Sequence, residues 1–289
     1  MHFEDVKGIL SPKGNINIYR GCTHGCIYCD SRSTCYNMNH DFEDVLVKRN
    51  APALLEKALS GRRKRMMVGM GSMSDPYMHC EKQLQHTRKC MEIIDRYGYG
   101  FTLITKSDLV LRDLDLIKSI NSRTKAVVQM TLTTFDEDLC RILEPNVATT
   151  KQRFEVLMKL KEEGIPTVVW LTPVLPFIND TEENLRGILD YCIQAGVKGI
   201  ICFDMGLTLR QGNREYFYKK LDEHFPGMKE RYISSFGSSY NCTSPDNRQL
   251  MKIFYQTCKA HNIMYNVDEI FEYLHTFEDK TENDQLTLF

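Results

Sequence analysis

The sequence has 289 residues, of which 42% are hydrophobic and 26% charged, and its net charge is −1. This composition is typical of a globular protein with a packed core. The near-neutral charge excludes electrostatic binding of nucleic acid over a broad surface but permits a local basic groove. No apolar run approaches the ~18 residues of a membrane span, and residues 1–5 do not resemble a signal peptide, so we expect a cytoplasmic protein without a membrane contact. Eleven cysteines in such a chain indicate reduced thiols and a metal site.

A short strand predicted at residues 15–19 leads into a cysteine loop. Cys22, Cys26 and Cys29 follow one another with the spacing C-x3-C-x2-C. Three thiolates on one tight loop can hold three irons of a [4Fe–4S] cluster and leave the fourth iron open for a ligand. Tyr28 adds an aromatic ring between two of the thiolates, where it could stack against that ligand.

The alternative for this loop is a structural zinc site, because zinc ligands are also commonly two to four residues apart. Such a site needs a fourth ligand, which Cys35 or His24 could supply. For the iron–sulfur interpretation we predict instead that Cys35 is not a ligand, since a fourth thiolate would close the open iron.

Strands and helices alternate after the cysteine loop. Strands are predicted at 66–70, 101–105, 126–132, 167–175 and 199–204. Helices are predicted at 51–59, 83–97, 113–120, 136–143 and 150–163, and a further helix begins at residue 181. Short apolar runs that alternate with amphipathic helices indicate a parallel sheet with both faces covered.

Six such units predict an α/β fold, a partial (β/α)6 barrel whose functional groups gather at the carboxyl ends of the strands. We assign residues 1–208 to this barrel. Residues 209–275 are predicted to form a helical cover that belongs to the same domain. The polar residues 276–289 are predicted to be a disordered tail.

The cysteine loop resembles that of the radical S-adenosylmethionine superfamily, C-x3-C-x-aromatic-C. Further blocks resemble the spore photoproduct lyase-like family, over about residues 10–260. These blocks are NIYRGC at residue 17, TKS at 105, VLRDLDL at 110, LTTFDEDL at 132, LEP at 143 and PVLPFIND at 173. The resemblance implies a partial barrel, a [4Fe–4S] cluster, S-adenosylmethionine as cofactor and a 5′-deoxyadenosyl radical. A reductant such as flavodoxin or ferredoxin would supply the electron.

The strand ends offer candidates for binding this cofactor. Ser74 and Asp75 lie in a loop that contacts the cofactor ammonium in the family, although a Ser/Asp turn before Pro76 is the plain alternative. Lys106 follows the next strand, where its cation could pair with the cofactor carboxylate, unless it is a surface lysine. Thr133 could bond the ribose or the carboxylate, or it could be an ordinary threonine at a strand end.

Photoproduct lyases use a cysteine as hydrogen-atom donor in the loop after the second strand. Ser72 stands at that position here, and an O–H bond is much too strong to replace a thiol. Cys80, eight residues further on, is a candidate donor, with an ordinary buried thiol as the alternative. The resemblance therefore does not extend to an authentic photoproduct repair site.

These features predict an iron–sulfur enzyme that cleaves S-adenosylmethionine reductively and acts on an unknown substrate, with a DNA lesion as one hypothesis. A radical enzyme that modifies RNA, a peptide or a small molecule is the second hypothesis. The third is a non-catalytic iron–sulfur or zinc interaction module.

The end of the chain carries a separate motif. Residues 285–289, QLTLF, resemble the pentapeptide by which bacterial repair proteins bind the sliding clamp. Gln285 offers an amide, and Leu286, Leu288 and Phe289 offer apolar side chains that a hydrophobic pocket can bury. The alternative is a tail whose apolar end folds back on the barrel.

Overall fold

The computed structural model describes residues 1–281. The strands in this part of the chain are β1 (His2–Glu4), β2 (Asn15–Ile16), β3 (Tyr19–Arg20), β4 (Leu46–Lys48), β5 (Met67–Met70), β6 (Gly100–Thr105), β7 (Ala126–Thr131), β8 (Thr167–Trp170), β9 (Gly199–Ile201), β10 (Gly206–Thr208) and β11 (Asn241–Thr243). The α-helices are α1 (Ala51–Ser60), α2 (Glu81–Leu84), α3 (His86–Arg96), α4 (Leu114–Arg123), α5 (Glu137–Leu143), α6 (Thr150–Glu162), α7 (Glu182–Ala195), α8 (Asn213–His224), α9 (Met228–Phe236), α10 (Asn247–Ala260) and α11 (Val267–His275).

Six strands form one parallel sheet in the order β2-β5-β6-β7-β8-β9, which confirms the predicted partial barrel. The central pair β6 and β7 aligns Phe101 with Ala126 and Thr105 with Met130. All six residues of β7 are buried, as expected for a strand covered on both faces. Helices α1, α3, α4, α6 and α7 supply the apolar side chains that pack against the sheet.

Two elements have other boundaries in the structure than the sequence predicted. The helix predicted at 83–97 is divided at Gln85, which has a φ of 52°. The buried carboxylate of Glu81 accepts hydrogen bonds from the backbone of His86 and Thr87, so it caps a second helix at this point. The strand predicted at 167–175 ends at Trp170, since Pro173 has no backbone donor for a sheet ladder.

The C-terminal part of the described chain is not purely helical. Strand β10 pairs with β11 in an antiparallel ribbon. The predicted boundary between residues 208 and 209 lies at the end of β10, and the partner strand β11 belongs to the predicted cover. Side chains from α8 and α9 share an apolar cluster with the cysteine loop. Helices α8 and α9 therefore pack directly on the loop that holds the three cysteines.

The prediction of a disordered tail from residue 276 is wrong for residues 276–281. Lys125 donates hydrogen bonds to the carbonyls of Tyr273 and Thr276 at 2.8 and 3.2 Å and pairs with Glu278 at 2.7 Å. The backbone of Lys280 also bonds to Arg123. Lys125 directly precedes β7, so this segment is anchored at the amino ends of the barrel strands.

Across residues 1–281, every helix falls short of the length and apolarity needed to cross a bilayer.

Candidate cofactor site

A cavity of about 690 Å³ opens at the carboxyl ends of the barrel strands. The loop after β5 and the first residues after β6 form one side of it, and the ends of β7, β8 and β9 form the other. The cysteine loop and the β10–β11 ribbon contribute the remaining walls. Parallel barrels place their functional groups at this edge, so the cavity is the candidate site.

The cysteine loop is held in place by backbone contacts from two distant segments. Cys22 donates its backbone N–H to Phe42, and Ile27 donates to Leu143, at 2.9 and 3.0 Å. Gly21 has a φ of 84°, and a Cβ at this position would collide with the Phe42 carbonyl. A glycine is therefore required where the loop begins.

The three predicted cysteine ligands, Cys22, Cys26 and Cys29, all line the cavity. Three thiols on one loop match the ligand number of a [4Fe–4S] cluster with one open iron, whereas a structural zinc site needs a fourth protein ligand.

The environment of these thiols also favours a metal cation. Burial raises the pKa of Cys22 to about 12 and that of Cys26 well above its usual value. Thiolates at these positions therefore depend on the positive charge of a bound metal. Cys35 does not line the cavity, and it is exposed, with its Sγ accepting a hydrogen bond from Arg210 at 3.3 Å.

Ser74 and Asp75 both line the cavity but differ in their free hydrogen-bonding capacity. The Ser74 Oγ is buried and has no partner within residues 1–281, which leaves it available to a ligand. The Asp75 oxygens accept hydrogen bonds from the Tyr77 backbone, the Thr105 hydroxyl and the Lys106 backbone, at 2.7–2.8 Å. Because a carboxylate has about four acceptor positions, little of Asp75 remains for a cofactor ammonium.

Lys106 also lines the cavity and forms no ion pair with any residue of the described chain. Its Nζ lies 5.8 Å from the centroid of the Tyr28 ring. Burial by itself lowers the pKa of Lys106, but the negative charges of Cys26 and Glu144 outweigh it and raise the pKa overall. The cavity thus presents an ammonium that has no carboxylate partner of its own.

A buried polar network behind the cysteine loop was not predicted from the sequence. Tyr28 donates its hydroxyl to Glu144, and the fully buried Arg153 donates to the other oxygen of the same carboxylate. Arg153 also donates to the Thr131 carbonyl at 2.6 Å. The block LEP at residue 143 was a signal for Glu144, whereas Arg153 lies in an amphipathic helix and looks like a surface residue in the sequence.

The structure does not bring Thr133 or Cys80 to the cavity. Thr133 is fully buried past the end of β7, and its carbonyl accepts hydrogen bonds from the amides of Asn179 and Asn184. Thr131, the last residue of β7, lines the cavity in its place. Cys80 immediately precedes α2 and packs against the main hydrophobic core, so the predicted donor role finds no geometric support.

Three aromatic side chains of the cavity lining were not predicted from the sequence either. Trp170, Phe203 and Tyr240 line the cavity, and Phe203 and Tyr240 are 56% and 44% exposed. Isolated aromatic residues near strand ends give no periodic signal in the sequence, so only the fold shows that these three line the same cavity.

The chain belongs to the radical S-adenosylmethionine superfamily, whose family model matches residues 16–217. Membership implies S-adenosylmethionine and an iron–sulfur cluster as cofactors. The residues fit these groups, because three thiols, an unpartnered hydroxyl and an unpaired ammonium line one cavity.

Relatives of this chain carry no assigned activity in their names. An uncharacterised protein of Mycobacterium tuberculosis is 32% identical over 225 residues, which are 75% of this chain and 65% of that protein. One from Methanocaldococcus jannaschii is 35% identical over 177 residues, 60% of this chain and 65% of that protein. The chain thus spans somewhat less than two thirds of the length of these relatives.

Solved structures share the fold at low sequence identity. A variant of spore photoproduct lyase superposes with a TM-score of 0.65 and 14% identity, covering 91% of this chain and 80% of the lyase. SuiB of Streptococcus suis, bound to its precursor peptide SuiA, gives a TM-score of 0.53 and 13% identity, covering 89% of this chain and 49% of SuiB.

Proposed function

We propose that the protein is an enzyme that holds a [4Fe–4S] cluster on Cys22, Cys26 and Cys29 and reductively cleaves S-adenosylmethionine. The observation that carries this proposal is the convergence of the three thiols with Ser74 and Lys106 around one cavity of about 690 Å³. When bound, the cluster would supply the single electron for reductive cleavage of S-adenosylmethionine, and the cleaved cofactor would supply the radical chemistry that removes a hydrogen atom from the substrate. A flavodoxin or ferredoxin would deliver that electron in the cytoplasm, where thiols stay reduced.

The chain's own residues bind and orient the cofactor. Lys106 pairs with the cofactor carboxylate, since this ammonium has no other charged partner in the described chain. Ser74 donates or accepts one hydrogen bond through its unpartnered Oγ. Asp75 acts mainly by fixing the loop after β5 against β6, with at most one acceptor position left for the cofactor ammonium.

For the substrate we propose a planar base of a nucleic acid, as in a DNA lesion. The support is that Trp170, Phe203 and Tyr240 line the cavity, because exposed aromatic side chains stack on bases. Within residues 1–281, the cysteines that line the cavity are the three cluster ligands. Repair that ends with hydrogen donation from a separate thiol is therefore not part of this proposal.

Anaerobic turnover tests the proposed reaction. Reconstituted protein with S-adenosylmethionine and a chemical reductant should release 5′-deoxyadenosine, and Cys26→Ala should release none. Deuterium transfer from a labelled lesion-bearing oligonucleotide into 5′-deoxyadenosine would support the substrate. Iron binding without any cleavage of S-adenosylmethionine would contradict the proposed enzymatic activity. Deuterium transfer only from RNA, a peptide or a small molecule would contradict a DNA substrate.

We also propose that the enzyme docks on a bacterial sliding clamp through Gln285, Leu286, Leu288 and Phe289. These residues lie outside the described part of the chain. The support is the motif itself, together with the anchoring of residues 276–281 at the amino ends of the strands. The described residues that precede this motif therefore lie at the end of the barrel opposite the cavity.

A further inference from the structure

A second cavity of about 260 Å³ lies beside the main cavity. Ser31, Met73 and Ser74 line both, so the two cavities are immediate neighbours. The second cavity, here named the side cavity, is lined by Asn17, Tyr19, Arg20, Gly21, Ser31, Tyr36, Met38, Lys48, Met73 and Ser74.

The side cavity carries two positive charges and no negative one. Arg20 and Lys48 line it, and its lining contains no aspartate or glutamate. Neither side chain forms an ion pair with any residue between 1 and 281. Most arginines of the described chain have a carboxylate partner, so a pair of unmatched cations in a cavity indicates a place for an external anion.

Both cations keep donors that the protein does not use. One terminal nitrogen of Arg20 donates to the carbonyls of Tyr36 and Asn37 at 2.6 and 2.8 Å, and the Nη1 and Nε groups of the guanidinium have no partner within residues 1–281. Lys48 donates one of three hydrogens to the Asn17 carbonyl at 2.7 Å. Burial lowers the pKa of Lys48, and the like charge of Arg20 lowers it further, so an anion between them would relieve this repulsion.

The neutral donors add to this arrangement. Ser74 lines both cavities, and its hydroxyl can donate here while its oxygen still accepts from the cofactor ammonium. Asn17 Oδ1 accepts from the Met73 backbone, and the Asn17 amide nitrogen donates to no residue of the described chain. Two cations beside neutral donors suit a phosphate, which offers more acceptor oxygens than a carboxylate.

We propose that the side cavity binds a phosphate group of the substrate while the reacting part of that substrate occupies the main cavity. This inference rests on the proposed function for the position of the reacting part. It goes further by predicting a phosphate-bearing substrate, whether the phosphate belongs to a nucleic-acid backbone or to a free nucleotide.

Binding without turnover tests the inference. Cluster-loaded protein with S-adenosylmethionine and no reductant is titrated anaerobically with thymidine, thymidine monophosphate, the dinucleotide TpT and its uncharged methylphosphonate analogue. We expect the phosphate-bearing ligands to bind about ten- to a hundredfold more tightly than their uncharged counterparts, and Lys48→Met to remove that difference. A preference for TpT would assign the phosphate to a nucleic-acid backbone, and a preference for the monophosphate would assign it to a free nucleotide.

Controls separate this inference from the proposed function. Lys57→Met removes an exposed charge on α1 and should bind all ligands as the parent does. Affinity for S-adenosylmethionine should be unchanged in Lys48→Met, whereas failure of the parent to bind that cofactor would contradict the proposed function itself. Arg20→Lys keeps the positive charge but removes the guanidinium group, so it should lose part of the preference for phosphate-bearing ligands. This second variant tests the inference even if Lys48→Met fails to fold.

Two results would overturn the inference. One is equal binding of the charged and uncharged ligands by the parent protein. The other is unchanged ligand binding in Lys48→Met together with slower cluster reduction by flavodoxin, which would show that the two cations recognise an acidic electron carrier.

Discussion

Lys106 has the clearest single role among the residues of the main cavity. Its ammonium faces the cysteine loop without an ion-pair partner in the described chain, and a charged hydrogen bond in such a place contributes about 1.5–3 kcal/mol. Lys106→Ala should therefore weaken S-adenosylmethionine binding about ten- to a hundredfold and leave the iron content unchanged. Equilibrium titration of the cluster-loaded protein measures the dissociation constant, with Lys57→Ala as the matched control. An unchanged constant would show that Lys106 does not bind the cofactor.

Cys35 is the residue that separates three-cysteine from four-cysteine ligation. It is exposed, contacts Arg210 and lies outside the cavity lining. Cys35→Ala should keep the full iron content and the cleavage activity of the parent, whereas Cys29→Ala should lose most of both. Iron analysis after anaerobic reconstitution measures the iron content, and release of 5′-deoxyadenosine measures the cleavage activity. Loss of iron in Cys35→Ala would contradict ligation by three cysteines.

At the scale of elements, the network of Tyr28, Glu144 and Arg153 links the cysteine loop to α5 and α6. Glu144 and Arg153 are fully buried, so removal of one charge leaves the other uncompensated. The paired Arg153 and the nearby Lys106 hold the pKa of Glu144 below its usual value although burial raises it, which keeps the carboxylate charged.

Glu144→Gln should lower the free energy of unfolding by about 3–5 kcal/mol, because it strands the Arg153 charge in the core. Tyr28→Phe should cost less, about 1.5–3 kcal/mol, since it removes one hydrogen bond to the charged carboxylate while the ion pair persists. Urea unfolding followed by circular dichroism measures both variants against the parent prepared in the same way. Equal small losses would show that the ion pair does not stabilise the loop.

At the scale of the whole molecule, the cavity lies at the carboxyl ends of the barrel strands, and residues 276–281 are held at the amino ends. Burial of Leu286, Leu288 and Phe289 in a partner pocket would contribute about 1.5–3 kcal/mol each before ordering costs, enough for a micromolar contact. A labelled peptide of residues 280–289 should bind a bacterial sliding clamp, and the same peptide with Leu288→Ala and Phe289→Ala should not. No binding at ~100 μM would contradict clamp docking.

The sequence by itself determined the features that depend on local spacing. C-x3-C-x2-C defines the three thiols, and alternating apolar runs and amphipathic helices define a parallel barrel, because both patterns repeat over a few residues. The position of Ser74 and Lys106 beside the cysteines follows from the same topology, since parallel strands end at one edge.

Only the tertiary structure decided which residues from distant segments meet. Tyr28 and Glu144 are 116 residues apart in the chain, and their contact depends on how α5 packs against the cysteine loop. Thr131 lines the cavity where Thr133 was predicted, because β7 ends at residue 131. Sequence patterns do not define strand ends to within two residues. The side cavity depends on the diagonal placement of Arg20 and Lys48 across two short strands, which no periodicity of a single segment contains.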